Sequence, residues 1–179
     1  QLTQSDLKPV ADSSVGNSSL FTPRALPPIF VYFLAHIIWG ALTTFFPLHA
    51  IKHGVANPGL FFAAYAVVLI LGRALGGQIL DVYSREKVIL PCLTAYIVGM
   101  TVLAFSKSLL MFMVVAVIQG TGHAFLMPAL VAYTIDLAGP SRGASIGFLS
   151  AAGDLGMVLG PMMMGIILRF TSFPTMFLC

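Results

Sequence analysis

The sequence predicts an all-α, multi-pass transmembrane helical bundle, and three observations carry that expectation. Apolar residues make up 58% of the chain, charged residues only 8%, and the mean hydropathy is +0.96; a soluble domain carries about 25% charge. So few charges cannot cover a water-facing surface, which leaves lipid as the solvent. Second, five apolar stretches reach the roughly 20 residues that a helix needs to cross a bilayer core of about 30 Å. Third, runs such as Val67-Val68-Leu69-Ile70-Leu71 do not alternate in polarity. A barrel strand would alternate over about ten residues, and a backbone in hydrocarbon must satisfy its amides within one helix or around a closed barrel. Helices are the solution these residues allow.

The elements follow in order. Residues 1–28 are rich in Ser, Asp, Gln, Asn, Gly and Pro and read as a polar linker that cannot bury a core, closed by Pro27-Pro28. Spans are expected at about 29–50, 59–80, 87–105, 109–134 and 144–168, within a bundle covering 29–179. A sixth begins near Phe173 and is cut short at 179. The connections are brief: Asp81 to Glu86, Ser106-Lys107-Ser108, and Gly139 to Arg142. Joints this tight make neighbouring helices antiparallel. The chain begins with Gln1 rather than Met and stops inside an apolar run, so it is expected to be a piece of a longer one. Residues 1–28 lack the apolar core of a signal peptide.

Several function classes drop out. The net charge is only +3 and the nine basic residues are scattered, so no nucleic-acid partner is expected. Cys92 and Cys179 have neither metal-ligand spacing nor a disulfide framework, and no metal or cofactor is expected. There is no His-Glu-x-x-His, nucleophile elbow or carboxylate pair, so an enzyme is not expected either. Near the spans, Arg24, Arg85, Lys87 and Arg142 lie on one side and Lys52, Lys107 and Arg169 on the other. By the positive-inside rule this four-to-three balance weakly favours a cytoplasmic linker.

The most informative connection is Gly77-Gln78-Ile79-Leu80-Asp81-Val82-Tyr83-Ser84-Arg85-Glu86-Lys87. The Gly permits close helix approach, and Asp81 can pair with Arg85 or accept hydrogen bonds from a helix N-terminus. An ordinary solvated loop is the alternative. Gly77, Asp81 and Arg85 resemble the signature between the second and third helices of each half of major facilitator superfamily transporters; Val82 and Ser84 depart from it. Asn57 to Phe62 with Gly72-Arg73, Gln119-Gly120-Thr121-Gly122 with Pro128, and Ala151 to Gly160 are similar to the seventh-to-eighth, tenth and eleventh helices of bacterial exporters in that superfamily. The resemblance covers about 29–179. It implies half of a major-facilitator fold, five full spans plus the start of a sixth, with the C-terminal half favoured because a polar segment precedes the first span.

Polar residues at membrane depth each need a reason, since an ionisable group there costs at least about 2.5 kcal/mol. Asp154 lies ten residues into its span, about 15 Å by helical rise, too deep for a short side chain to reach water. It is expected to face the bundle interior or a wet cavity, with Ser150 one turn before it. Proton coupling or substrate contact is one role; pinning a neighbouring helix is the other. Arg73 could reach the interface or pair inward, Asp154 being one candidate partner. His123 and Gln119, four apart, share one face and could line a polar pathway, as could the stripe of His36, Trp39 and Thr43. His49 and His53 are expected at the interface. Gly156, Gly160 and Pro161 combine a small-residue face with a bend, for helix packing or gating. Met157, Met162, Met163 and Met164 could line an adaptable apolar pocket, and a lipid-facing position is the favoured expectation.

The resemblance implies a secondary active transporter in a bacterial cell membrane, exporting a small organic solute in exchange for protons by alternating access. Its partners would be the bilayer, the solute, protons, and the other half of the same chain. Asp154, His123 and Gln119 would serve coupling or substrate contact, and Asp81, Arg85 and Arg73 a cytoplasmic charge network. The rival reading is a transporter-like sensor that binds a ligand without moving it.

Overall fold

The first helix starts before its apolar run does. In the computed structural model, which describes residues 22–179 and only the backbone of 75–82, a 3₁₀ turn at Pro23–Ala25 leads directly into α1, Leu26–Lys52. Pro27 and Pro28 therefore sit in the first turn, where a missing N–H is no loss because those amides have no partner inside the helix anyway. This corrects the expected linker boundary at 28. Residues 1–21 of that linker lie outside the described residues.

Four long helices and a short one follow: α2, Gly59–Val82; α3, Arg85–Phe105; α4, Leu109–Ala138; α5, Arg142–Phe170; α6, Phe173–Leu178. The described residues contain no strand. Connections are even tighter than expected. Only Tyr83 and Ser84 separate α2 from α3, so the charged connection is mostly helix end. Ser108 caps α4, its Oγ accepting from the Met111 N–H, and satisfies one amide that the first turn leaves free. A 3₁₀ turn at Gly139–Ser141 reverses the chain into α5. Gly139 takes φ 54° there, a conformation open to Gly and strained for side chains.

Three continuous helical stretches are long and apolar enough to cross a membrane: Pro23–Lys52, Arg85–Phe105 and Leu109–Phe170. The last contains α4, the turn and α5. A further apolar helical segment, Gly59–Ala74, opens α2. Large apolar side chains stand exposed around the bundle, Ile70, Leu90, Leu110 and Phe170 each by more than 60%. In water that belt would be untenable; in lipid it is the expected surface.

Up-and-down connections bring alternate helix ends together. α1 packs along α5, α4 is held between α2 and α3, and α6 rests on α3 and α5. At one end Phe46 stacks on Phe61, centroids 4.0 Å apart, and meets Phe112 edge-on at 5.2 Å. His49 belongs to this cluster. It is 1% exposed, enclosed by Phe112, Phe173 and Phe177, and its Nε2 lies 3.1 Å from the Ser106 carbonyl oxygen. His49 lies near the end of α1, as expected, but is buried between helices: its ring closes the seam between α1, the α3–α4 joint and α6. His53 is half-buried.

The α1–α5 seam is built on glycine. Ser145, Leu149, Gly153, Gly156 and Gly160 are the buried positions of α5, spaced by four, four, three and four, so they form one stripe. A Cβ on Gly156 would lie 2.5 Å from the Phe33 carbonyl oxygen, and one on Gly160 would collide with the Ile37 carbonyl. The contact is reciprocal, because a Cβ on Gly40 of α1 would lie 2.6 Å from the Met157 carbonyl oxygen. That carbonyl is the one Pro161 releases, four residues on, since proline has no N–H to bond it. Each helix thus offers carbonyl oxygens to the other's bare Cα atoms, the contact that small residues provide between membrane helices.

Candidate functional site

Polar groups within the bundle converge on one face of α1. Tyr32, His36, Trp39 and Thr43 are spaced by four, three and four and are all half-buried. His36 Nδ1 lies 2.8 Å from the Tyr32 carbonyl oxygen. A carbonyl only accepts, so Nδ1 carries the hydrogen. Nε2 is then directed at α5, where a Cβ on Gly153 would sit 3.3 Å away. The Tyr32 and His36 rings lie 4.2 Å apart. Trp39 turns to the opposite flank, stacking on Tyr65 of α2 at 4.8 Å and meeting the His123 ring of α4 at 5.2 Å. Thr43 bonds back to the carbonyls of Trp39 and Gly40, both at 3.0 Å, so its hydroxyl is used within α1.

His123 is the junction of four helices. Besides Trp39 and Tyr65, it meets Tyr96 of α3, whose hydroxyl lies 2.7 Å from His123 Nδ1. Tyr96 is 3% exposed. Sequence reasoning passed over it, although a phenol hydroxyl in the middle of an apolar span must find a partner. Gln119 lies one turn before His123. It is 2% exposed and packs over Gly99 in the α3–α4 seam, with its Cγ 2.8 Å from where a Gly99 Cβ would be. Its amide nitrogen and oxygen have no hydrogen-bond partner among the described residues. Both side chains thus turn to α3, Gln119 at Gly99 and His123 at Tyr96, and only His123 also meets rings of α1 and α2.

Two charged side chains flank this face. Arg73 of α2 is exposed, near enough for its charge to act on both Tyr65 and His123. Asp154 of α5 is also exposed and acts on Tyr32. Asp154 is not buried among these helices, so of the two expected placements, the bundle interior or a wet cavity, the first is not the one the described residues take. Its stripe, Gly143, Gly147, Ser150, Asp154 and Met157, is exposed along its length and small or polar up to Met157. Met162 and Met163, the latter beside an apolar groove of about 390 Å³ that includes Ile37, Met100 and Met164, belong to the outer surface. Among the described residues no carboxylate pairs with Arg73, so the pairing with Asp154 is not made.

Just past the C-terminal end of α2, Arg85 Nε lies 3.4 Å from Asp136 Oδ2, and the Tyr133 hydroxyl donates to Glu86 at 2.8 Å. These bonds tie the start of α3 to the end of α4. Gly77 and Asp81 lie outside the described side chains. Cys92 and Cys179 are both free.

The comparisons decide what this arrangement belongs to. Residues 28–179 match the sequence profile described as Major Facilitator Superfamily. The chain belongs to that superfamily. It is 28% identical over 153 residues to the staphylopine export protein of Staphylococcus aureus, 83% of this chain and 38% of that one. It is 31% identical over 137 residues to a triacylglyceride transporter of Mycolicibacterium smegmatis, 70% of this chain and 24% of that one. To multidrug resistance protein 2 of Bacillus subtilis it is 27% identical over 113 residues, 63% and 28%. The chain therefore spans between a quarter and two-fifths of these relatives' length. No solved structure matches it significantly. As a major-facilitator chain with an apolar belt and apolar helices, it is a multi-pass membrane protein.

Proposed function

We propose that this chain is part of a secondary active transporter of a bacterial cell membrane, exporting a small organic solute in exchange for protons by alternating access. One observation carries the reading. Arg73 and Asp154 stand exposed on helices that otherwise present large apolar side chains, and a charge left against hydrocarbon costs at least about 2.5 kcal/mol. Both therefore face water or other protein. The small-residue stripe through Asp154 fits a second helix bundle, and superfamily members rock two bundles around a shared midplane cleft. This chain supplies one wall, and a further six-helix half supplies the other. The names of the relatives, an export protein and a multidrug resistance protein, support outward movement.

Asp154 is the coupling carboxylate in this reading, His123 borders the solute route, and Gln119 supports α4 from behind. Arg85, Asp136 and the Arg73 side of α2 form the cytoplasmic charge network, and Gly156, Gly160 and Pro161 are the close-packed pivot of α5 on α1. The test is flux in liposomes holding the intact protein under an imposed proton gradient. Asp154→Asn should abolish gradient-driven movement while leaving insertion and solute binding in place. Full gradient-driven flux in that variant removes Asp154 from coupling. Saturable binding with no flux in the unaltered protein establishes the sensor reading instead.

A further inference from the structure

We propose that a groove between α3 and α4 holds one acyl chain of an anionic phospholipid from the surrounding membrane, with Lys87 on its phosphate. Only the chain's place in a bilayer is needed for this; what it transports is not.

The groove encloses about 320 Å³. Pro91, Cys92 and Ala95 of α3 form one wall, and Thr121 and Phe125 of α4 the other. The Thr121 hydroxyl is spent within its own helix, donating to the Val117 carbonyl oxygen at 2.8 Å. Water held in such a space needs two to four polar partners, and these walls are poor in them. The groove adjoins the apolar belt: Leu90, next to Pro91, is 66% exposed, and Val117, one turn before Thr121, is 50% exposed. An acyl chain is the apolar body that lipid supplies at that surface. The length agrees. From Lys87 to Ala95 is eight residues, about 12 Å of helix, most of the roughly 15 Å that one leaflet's hydrocarbon occupies.

The polar end of the groove names the headgroup. Arg85, Glu86 and Lys87 are consecutive charges at the start of α3. Two of them are committed, Arg85 to Asp136 and Glu86 to the Tyr133 hydroxyl. Lys87 is exposed, lines the groove, and pairs with no carboxylate among the described residues. A lysine of this kind lays its stem along apolar surface and lifts its ammonium to the headgroups. Tyr83, 56% exposed, lines the same end, and tyrosine rings are favoured at that level of a membrane. A cation above an apolar slot matches a phosphate above an acyl chain. A headgroup of net negative charge gains from that cation, whereas a zwitterionic one brings a cation of its own.

Photo-labelling tests this on the intact protein in phosphatidylcholine nanodiscs. Two probes carry the same diazirine-bearing acyl chain, one on phosphatidylglycerol and one on phosphatidylcholine, and mass spectrometry locates the labelled residues. On Cys92 to Ala95 the phosphatidylglycerol probe should label about fivefold more than the other, the gain that one basic side chain brings at an anionic headgroup. On the open belt around Leu110 the two should label alike. Lys87→Gln should remove the preference, and Lys87→Arg should keep it. Thr121→Trp, at an exposed position, should fill the groove and suppress labelling of Cys92 to Ala95 by both probes while Leu110 is labelled as before. Equal labelling of the groove by both probes in the unaltered protein, or a preference that survives Lys87→Gln, overturns the proposal. So does a groove that both probes label less than Leu110, the result expected if other protein covers it.

Discussion

Substituting the glycines of the α1–α5 seam provides the sharpest stability test, because the geometry ranks them in advance. Ordinary van der Waals contact begins at 3.4 Å, and a Cβ on Gly156 would lie 2.5 Å from the Phe33 carbonyl oxygen, 0.9 Å too close (3.4 − 2.5). Gly160 is tighter still, its Cβ meeting the Ile37 carbonyl. Neither obstacle is the end of a flexible side chain; both are backbone inside a helix. Relief requires α1 and α5 to separate by most of an ångström. A gap of 0.5–1 Å forfeits about a quarter to a half of each dispersion contact along the seam. Overpacking of this kind costs typically 1–3 kcal/mol, and Gly160→Ala belongs at the upper end of that range. Gly165→Ala is the control on the same helix: its Cβ would find Phe45 Cζ at 3.5 Å, an ordinary contact, and should shift stability by less than about 0.5 kcal/mol. Gly153→Ala lies between, because the atoms it meets belong to the Tyr32 and His36 side chains, which can rotate away. The assay is resistance of the purified intact protein to graded SDS unfolding, with each variant checked for insertion. The order Gly160, Gly153, Gly165 is the claim. Equal losses at Gly160 and Gly165, or none at Gly160, would refute the close seam.

Other predictions follow from single contacts. Gln119→Leu should hold stability or raise it by about 1 kcal/mol, since a buried amide without partners carries a desolvation penalty that leucine does not; SDS unfolding showing a loss above that size would mean the amide is satisfied after all. Gly99→Ala should destabilise by about 1–2 kcal/mol through its clash with Gln119, and Gln119→Ala in the same protein should recover most of it, a coupling read from a double-mutant cycle. His49→Phe fills the aromatic cage but leaves the Ser106 carbonyl unpaired, so a loss of about 1–3 kcal/mol is expected in the same assay. Asp136→Asn should cost less than about 1 kcal/mol, because its bond to Arg85 is exposed, and raising salt should shrink even that difference.

How much was legible in the sequence follows from which forces act locally. The number, order and type of the helices were readable because hydrocarbon leaves a backbone few options, and composition alone reports the solvent. Helix ends were less so: Pro27-Pro28 reads as a stop by composition, yet proline is favoured in a first turn, and only the chain's path decides between them. The glycine spacing of α5 announced a close contact, but which helix lay against it is a tertiary fact. For the site, spacing placed His36, Trp39 and Thr43 on one face. It did not show that Gln119 stays between α3 and α4 while His123 also reaches rings of α1 and α2, because a helical period does not say where a neighbour ends. The surroundings of His49 were hidden for a related reason: its position near a helix end is readable, but that α6 folds over it and supplies two of its three phenylalanines is a tertiary fact.

The exposed Asp154 separates two meanings of depth. By helical rise it is far from either end of α5, and a single-helix argument sends such a carboxylate inward. Yet the inward stripe of α5 is already committed to glycine, because carbonyls of α1 lie within contact distance of it. A side chain at Gly156 or Gly160 would part the helices, so a functional carboxylate in this part of α5 has to stand on another face. The apolar face, with Phe148, Leu155 and Ile166 exposed by more than half or nearly two-thirds, is excluded by the cost of charge in lipid. What remains is the stripe of Gly143, Gly147 and Ser150, whose two glycines have open space around them. Close packing on one side of the helix thus dictates where the charge can be on the other. Moving the carboxylate one residue back, as Gly153→Asp with Asp154→Ala, should therefore disrupt the α1–α5 seam instead of transferring the function. The expected outcome is an SDS-labile protein without coupled flux; a stable variant that still couples would show that the seam tolerates a side chain and that the face of α5 carrying the acid is immaterial.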